Sequence, residues 1–349
     1  MPMSRKSDAA AAGPARSGPR TTIAGLLGWQ RWLGMVALIA LAVLPWLHSG
    51  YWLSQLTFVA IYAIAGFGLQ ILLGFAGQVS LGQAAFLASG AYACAYVERI
   101  GLGAPLGFLA AIAVATALGL LVALPALRMS GLYLAIATMS FGFIVEEVAS
   151  RWTSVTGGNA GITVSAIRIG GMSLGQPWQI YYLSWAFFLV VFLLSANLLR
   201  TPAGRAMVAI RDSEIAARSS GIRVSRIKGV AFGLSAAFAG LAGALYGHAL
   251  GFISPDQFTI AMSLDLLVMI LIGGLGTLRG VIFGSVFLVV SPELFQQLIG
   301  LFTAGNTEVA GLRPFLFGFS LIFVLLFQPN GIDALVTRAG EWLATARSR

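Results

Sequence analysis

The chain has 349 residues, of which 58% are hydrophobic and only 9% charged. Soluble domains carry about 25% charged residues, so a water-soluble globular protein is excluded and an all-α, polytopic helical membrane protein is expected. The net charge of +9 does not point to nucleic acid, because the basic residues sit in tails and in loops between apolar runs, where they set orientation.

Residues 1–31 are rich in Ala, Gly, Pro, Ser and Arg and read as a disordered, basic cytoplasmic tail. A cleavable signal does not fit, because the first apolar run starts late and opens a full span. A spanning helix needs about 20 mostly apolar residues. Such runs fall at 32–48, 51–73, 77–97, 105–127, 131–149, 179–199, 229–250, 261–278, 281–300 and 313–328. They predict about ten spans in a transmembrane domain over 32–328, then a cytoplasmic tail over 329–349, with both termini on one side. On that topology 17 of the 21 Arg and Lys fall inside. The outside holds Arg99, Arg151, Arg168 and Arg313, as the positive-inside rule requires. Gly and polar residues interrupt 77–97 and 261–284, which predicts broken or re-entrant helices there. The single Cys94 lies in an apolar run, so no disulfide framework exists and it reads as a small packing residue.

Residues 74–90, GFAGQVSLGQAAFLASG, place Gly77, Gln78, Ser80 and Gln83 inside a membrane-length run. Unpaired backbone in lipid costs several kcal/mol, so such a segment must be buried in protein or line a cavity. The four residues suit close helix packing through small side chains or a broken helix beside a solute path. The second Gly-rich stretch, 273–284, has Gly276, Gly280 and Gly284 every four residues, which predicts one smooth helix face. The two stretches share a short Gly-rich turn followed by a small-residue helix, a weak sign of internal duplication.

Residues 150–178 form the long outer, periplasmic loop. Gly157-Gly158-Asn159 and Gly170-Gly171 are turn signals, and alternation around Ile162–Ile169 suggests a short hairpin. The loop suits contact with an external protein or a plain cover. Glu146, Glu147, His248 and Asp265 are ionisable positions within spans. Charge at a helix centre costs about 2.5–3.5 kcal/mol on insertion scales, which makes each a functional candidate. All four lie near span ends, where snorkelling serves equally, and none sits at the midplane as a proton-coupled carrier would want.

The longest interior run without a membrane-length apolar segment is 200–228. Its Thr201–Lys228 part reads TPAGRAMVAIRDSEIAARSSGIRVSRIK and its only acids are Asp212 and Glu214. Thr201 can cap a helix with Pro202 at its first position, and Ala203, Met207 and Ile210 then share a face. Ser213 can cap a second short helix that Gly221 ends. Two short helices on the membrane surface suit docking of a cytoplasmic partner; the run equally suits a basic loop that only fixes topology.

Lys6 and Lys228 are the two lysines, and neither lies in a phosphate-binding GxxxxGK[ST] loop, so the chain is not expected to hydrolyse ATP itself. Metal-ligand spacing, a hydrolase elbow and a potassium-filter sequence are also missing. No catalytic residue, metal or cofactor of its own is expected.

Four stretches carry a resemblance: 72–92 (LLGFAGQVSLGQAAFLASGAY), 132–162 (LYLAIATMSFGFIVEEVASRWTSVTGGNAGI), 204–250 and 324–332 (VLLFQPNGI). Together, and in this order, they resemble the branched-chain amino acid ABC transporter permeases of the LivM type over about residues 35–335. The resemblance implies a bacterial inner-membrane importer subunit for leucine, isoleucine or valine. It implies as partners a second, LivH-like permease, two cytoplasmic ATPase subunits that use the ATP, and a periplasmic solute-binding protein. Residues 205–221 then look like the ATPase-docking loop of ABC importers, with its Glu-Ala-Ala, three residues, Gly pattern. Ala216, Ala217 and Gly221 fit the spacing, while Ile215 stands in the acid's place and Glu214 is one residue early. Arg205, Arg211, Asp212 and Glu214 would orient the docked partner through charge pairs at the rim. Urea-importer permeases are close relatives and form the alternative reading of substrate. A self-sufficient channel or carrier would need a midplane ionisable group instead of a docking loop, and a membrane-bound enzyme would need a catalytic cluster.

Overall fold

The structure is a computed structural model that describes residues 50–126, 129, 131–169, 172–302, 318, 319, 326 and 331–333. The chain divides into two compact units, Met1–His48 and Ser49–Arg349, and the described residues all belong to the second. The expected span at 32–48 and the N-terminal tail lie outside the described residues, as do most of 313–328 and of the C-terminal tail.

Helix α1 (Tyr51–Leu69) runs directly into a π-helical turn, Gln70–Phe75. Then come α2 (Gln83–Arg99), α3 (Ala104–Ala126), α4 (Leu132–Arg151) and a single turn, α5 (Thr153–Thr156). Three short strands follow, β1 (Ile162–Thr163), β2 (Ile167–Ile169) and β3 (Met172–Leu174). Next are α6 (Pro177–Arg200), α7 (Pro202–Asp212), α8 (Glu214–Ser219), α9 (Val224–Leu250), β4 (Phe252–Ile253), α10 (Ile260–Gly273) and α11 (Leu278–Phe302). Among the described residues, six helical segments are long and apolar enough to cross a membrane: Tyr51–Phe75, Ala104–Pro125, Leu132–Arg151, Pro177–Arg200, Val224–Leu250 and Pro255–Gly273. The protein is thus an all-α polytopic membrane protein; the expected bounds of these segments lie within six residues of the observed ones, the largest shift being at 261–278, observed as Pro255–Gly273.

Helices α1 and α9 form the core, with 78% of each apolar window buried, whereas α4 and α6 are only 22% buried and present broad apolar faces outward. Between helices in lipid the hydrophobic effect supplies no attraction, so close contact of backbones must. Small residues on α9 permit it. A Cβ placed on Gly90 of α2 would sit 2.2 Å from the Gly240 carbonyl oxygen, and one on Gly243 would sit 1.9 Å from that of Leu87. On the other side, Phe67 of α1 meets Phe188 and Phe192 of α6 at ring separations of 5.6 and 5.8 Å.

Both interrupted runs are indeed broken, in different ways. Ala76–Gly82 is not helical, and α2 starts only at Gln83. Its start lies deep between helices: the Leu81 amide donates to Thr138 Oγ1 of α4 at 2.9 Å, and the Ala84 amide to Ser263 Oγ of α10 at 2.9 Å. Protein groups thereby replace the water that free backbone would otherwise need. The second break is a tight turn, Gly274–Thr277, between α10 and α11. This corrects the expected helix face: Gly276 has φ +77° within the turn, so only Gly280 and Gly284 lie on α11. Those two pack against α10, where a Cβ on Gly284 would meet the Met269 carbonyl oxygen at 2.1 Å.

The expected hairpin is also placed differently. β2 pairs antiparallel with β3, Ile167 opposite Leu174. Ile162 and Thr163 instead pair with Ile253 and Phe252, beyond the end of α9. The alternation was real, but the partner strand for β1 comes from far along the chain.

Candidate coupling loop and solute cleft

The run between α6 and α9 folds as the two capped helices its sequence dictates. Thr201 Oγ1 accepts from the Gly204 amide at 3.3 Å, and Ser213 Oγ accepts from the Ala216 amide at 3.3 Å. Gly221, at φ +82°, reverses the chain after α8. Its amide donates to the Arg218 carbonyl and the Ile222 amide to the Ala217 carbonyl, both at 3.1 Å. The apolar face of α7 is buried as expected, with Met207 0% and Ile210 4% exposed. Ala217 joins Ile210 and Val224 in a small core of the loop itself. It therefore faces inward, while Ala216 and Gly221 are exposed and Ile215 is 83% exposed.

The loop's charges divide between its surface and its supports. Arg205 is exposed and donates to the Arg200 carbonyl at 3.0 Å. Glu214 turns back, accepting from Lys228 Nζ at 2.8 Å and from Arg218 at 3.0 Å. Arg211 pairs with Asp212 at 3.3 Å but also donates from Nη1 to the Gly74 carbonyl at 2.7 Å. The coupling loop and the first Gly-rich stretch therefore meet, and Gly77 lies against Arg211. The second Gly-rich stretch meets them there: Gln70 Nε2 donates to the Gly274 and Thr277 carbonyls at 3.0 and 2.9 Å. Gln70 carried no functional weight in the sequence, being one polar residue in an apolar run.

The start of α2 borders a cleft lined by Leu81, Ala84, Met139, Phe143, Phe258 and Ser263. Its walls are apolar, with hydroxyl and helix-end amide groups on one side. Gln78, Ser80 and Gln83 are buried beside it rather than lining it. Gln83 is tied into the core, accepting from Ser235 Oγ at 3.3 Å and donating to the Ala65 carbonyl at 3.5 Å. Gln78 donates to the Ala76 carbonyl at 3.2 Å, and its Oε1 is buried with no hydrogen-bond partner among the described residues.

At the opposite end of the helices, His248 Nε2 lies 3.0 and 3.1 Å from the two Glu98 carboxylate oxygens, and Nδ1 lies 2.8 Å from the Ala244 carbonyl. Cys94 donates to Glu98 at 3.7 Å, so it is more than filler. Among the described residues these three could hold a metal ion, their ligand atoms lying within 4.8 Å of one another. Their mutual hydrogen bonds satisfy the group without one. The sequence pointed to His248 but not to Glu98, which sits past the end of its apolar run. Of the other ionisable positions, Glu147 pairs with Arg151 at the surface, Glu146 is half-buried and Asp265 is exposed.

The broken helices, the small apolar recess beside the start of α2 and the capped loop suit a helical membrane permease. The chain belongs to the family described as the branched-chain amino acid transport system permease component, which it matches over residues 51–325. It is 34% identical over 344 residues to the high-affinity branched-chain amino acid transport system permease protein LivM of Escherichia coli K12, covering 90% of this chain and 78% of that protein. The Salmonella typhimurium LT2 protein of the same name is 33% identical with the same coverage. The probable LivM of Methanocaldococcus jannaschii is 24% identical over 57% of this chain and 59% of its own length. No solved structure matches the chain.

Proposed function

We propose that this chain is one permease subunit of an ABC importer of the bacterial inner membrane, moving leucine, isoleucine and valine into the cytoplasm. The observation that carries the reading is the 34% identity to a high-affinity branched-chain amino acid permease, sustained over 90% of the chain. In this reading about ten spans put both termini in the cytoplasm. A LivH-like permease completes the pathway, a periplasmic binding protein delivers the solute, and two ATPase subunits bind and use the ATP. The permease itself is no enzyme and needs no cofactor.

Physical features of the chain support this division of labour. An isoleucine 83% exposed on a short capped helix is a contact waiting for a protein surface, and burying such a side chain is worth about 1.5–3 kcal/mol. Exposed Ala216 and Gly221 beside it let a partner approach closely. The recess at α2 has apolar walls, with room for no more than about one water in this conformation.

The test is uptake by proteoliposomes that contain this chain with its partner permease and ATPases, supplied with binding protein. ATP-dependent uptake of labelled leucine is expected. Uptake of urea in place of leucine would overturn the solute, and uptake without any ATPase subunit would overturn the class.

A further inference from the structure

We propose that Arg211 is the strut that carries movement of the coupling loop into both glycine breaks of the membrane domain. This deepens the importer reading and rests on it. The sequence expectation put Arg211 among the charges that orient a docked partner at the rim. Its side chain stays 40% exposed beside Asp212, but its Nη1 reaches inward and donates to the Gly74 carbonyl at 2.7 Å.

That carbonyl is available because of how α1 ends. The π-turn widens the helix, and the amides of Ala76, Gly77 and Gln78 donate to the carbonyls of Ile71, Leu73 and Leu72 at 3.0, 3.1 and 2.9 Å. The Gly74 oxygen is left at the helix end, where partial negative charge gathers and a cation is favoured. Arg211 supplies the cation from a different element, 137 residues away.

Three glycines make room for it. A Cβ on Gly77 would sit 3.0 to 3.3 Å from the Arg211 Cγ, Cα and Cβ atoms. A Cβ on Gly276 would sit 3.0 Å from Arg211 Nη1, and one on Gly74 would sit 2.9 Å from the Gly276 amide nitrogen. The socket is thus walled by the break after α1 and by the turn between α10 and α11. Gln70 staples these two walls together through the Gly274 and Thr277 carbonyls. Asp212 holds the outer side of the guanidinium.

The consequence is mechanical. The loop is joined covalently to α6 and α9 only. Through Arg211 it also grips the segment that leads to the start of α2 and the hinge between α10 and α11. The first segment reaches the cleft at Leu81, and the second ends the helix whose opposite end, Ile260 and Ser263, lines it. A shift of α7 would therefore reach the Leu81 wall of the cleft and the far end of α10 without passing through the helices that flank the loop.

The experiment uses the assembled complex of permeases, ATPases and binding protein, with Arg211→Gln, Arg211→Lys and, as control, Arg226→Gln on the exposed side of α9. Co-elution of the ATPase, basal hydrolysis, hydrolysis stimulated by loaded binding protein, and leucine imported per ATP are measured. Arg211→Gln is expected to keep the ATPase and its basal hydrolysis while import per ATP falls about tenfold, within the usual range of a coupling contact. Arg211→Lys, with charge but no fork, should fall between, and Arg226→Gln should match the unmodified complex. Loss of ATPase co-elution in Arg211→Gln would make Arg211 a docking contact and overturn the strut, as would an unchanged ratio. If Arg211→Gln does not assemble, the ratio in Arg211→Lys decides. If the unmodified complex imports no leucine, the solute reading fails alone. The strut is then read from stimulated against basal hydrolysis, which should separate in Arg211→Gln and would refute it if they stayed joined.

Discussion

Glu214 accepts a hydrogen bond from the Lys228 ammonium at 2.8 Å, and that lysine side chain is only 2% exposed while the glutamate is 31% exposed. The pair fastens α8 to the root of α9, so the loop is one body with the helix that forms the core. Glu214→Ala leaves the buried ammonium facing no carboxylate. Removing one member of a fully buried pair costs about 3–5 kcal/mol; with Glu214 partly in water, about 1–3 kcal/mol is expected. Lys228→Met should be milder, and the double substitution should recover most of the loss. Thermal unfolding in detergent reads this. A double variant as unstable as Glu214→Ala would mean that the glutamate acts through something other than Lys228.

Gly280 tests the close packing of α10 on α11. A Cβ there would lie 2.7 Å from the Gly274 carbonyl oxygen and 2.8 Å from the Gly273 carbonyl carbon. These are backbone atoms, so the helices themselves must part. Gly280→Ala should already broaden the size-exclusion peak, and Gly280→Leu should prevent assembly. Gly229, with nothing within 4 Å, should accept alanine without effect. A monodisperse Gly280→Leu complex would place that face against lipid.

Orientation follows from charge, with six of the seven Arg and Lys of 200–228 falling within Thr201–Lys228. Reporter fusions at Ser219 should therefore read cytoplasmic, and fusions at Gly158 periplasmic. The two positions lie at opposite ends of α6, so they must disagree. A periplasmic signal at Ser219 would reverse the topology.

What the sequence made legible is what local rules govern. Caps at Thr201 and Ser213, the reversal at Gly221 and the apolar runs each depend on a few neighbouring residues; the caps, the reversal and, among the described residues, six of the apolar runs appear near where the pattern puts them. What it hid depends on partners distant in the chain. Glu214 looked like a rim charge because nothing local reveals that Lys228 turns back to meet it. Gly276 looked like part of a helix face because its spacing from Gly280 is helical, whereas its positive φ is set by the turn around it. Glu98 and Gln70 went unmarked because their roles come from His248 and from the Gly274 and Thr277 carbonyls. β1 found its partner beyond α9 for the same reason.

The last prediction concerns the outward surface of α8. The sequence pattern offers Ala216, Ala217 and Gly221 as the small residues of a docking face. On a helix of six residues one side must turn inward, and Ala217, 3% exposed, takes it. The exposed surface is then Ile215, Ala216 and Arg218, with Gly221 at its edge. An isoleucine 83% exposed gains nothing in the free subunit, so Ile215→Glu should leave thermal stability unchanged. In the complex it puts a charge where an apolar contact is needed, and the ATPase should elute separately. Ala217→Leu should behave oppositely, overfilling the small core with Ile210 and Val224 and lowering stability by about 1–3 kcal/mol. Gly221→Leu separates strain from contact. Its left-handed backbone costs about 1–2 kcal/mol, yet nothing lies within 4 Å of a Cβ there. Any loss of ATPase beyond what that strain explains must come from a collision with the partner. Paired measurement of unfolding temperature and ATPase co-elution for the three variants distinguishes these effects. If Ile215→Glu keeps both at the unmodified level, α8 does not dock the ATPase, and the loop serves to set topology.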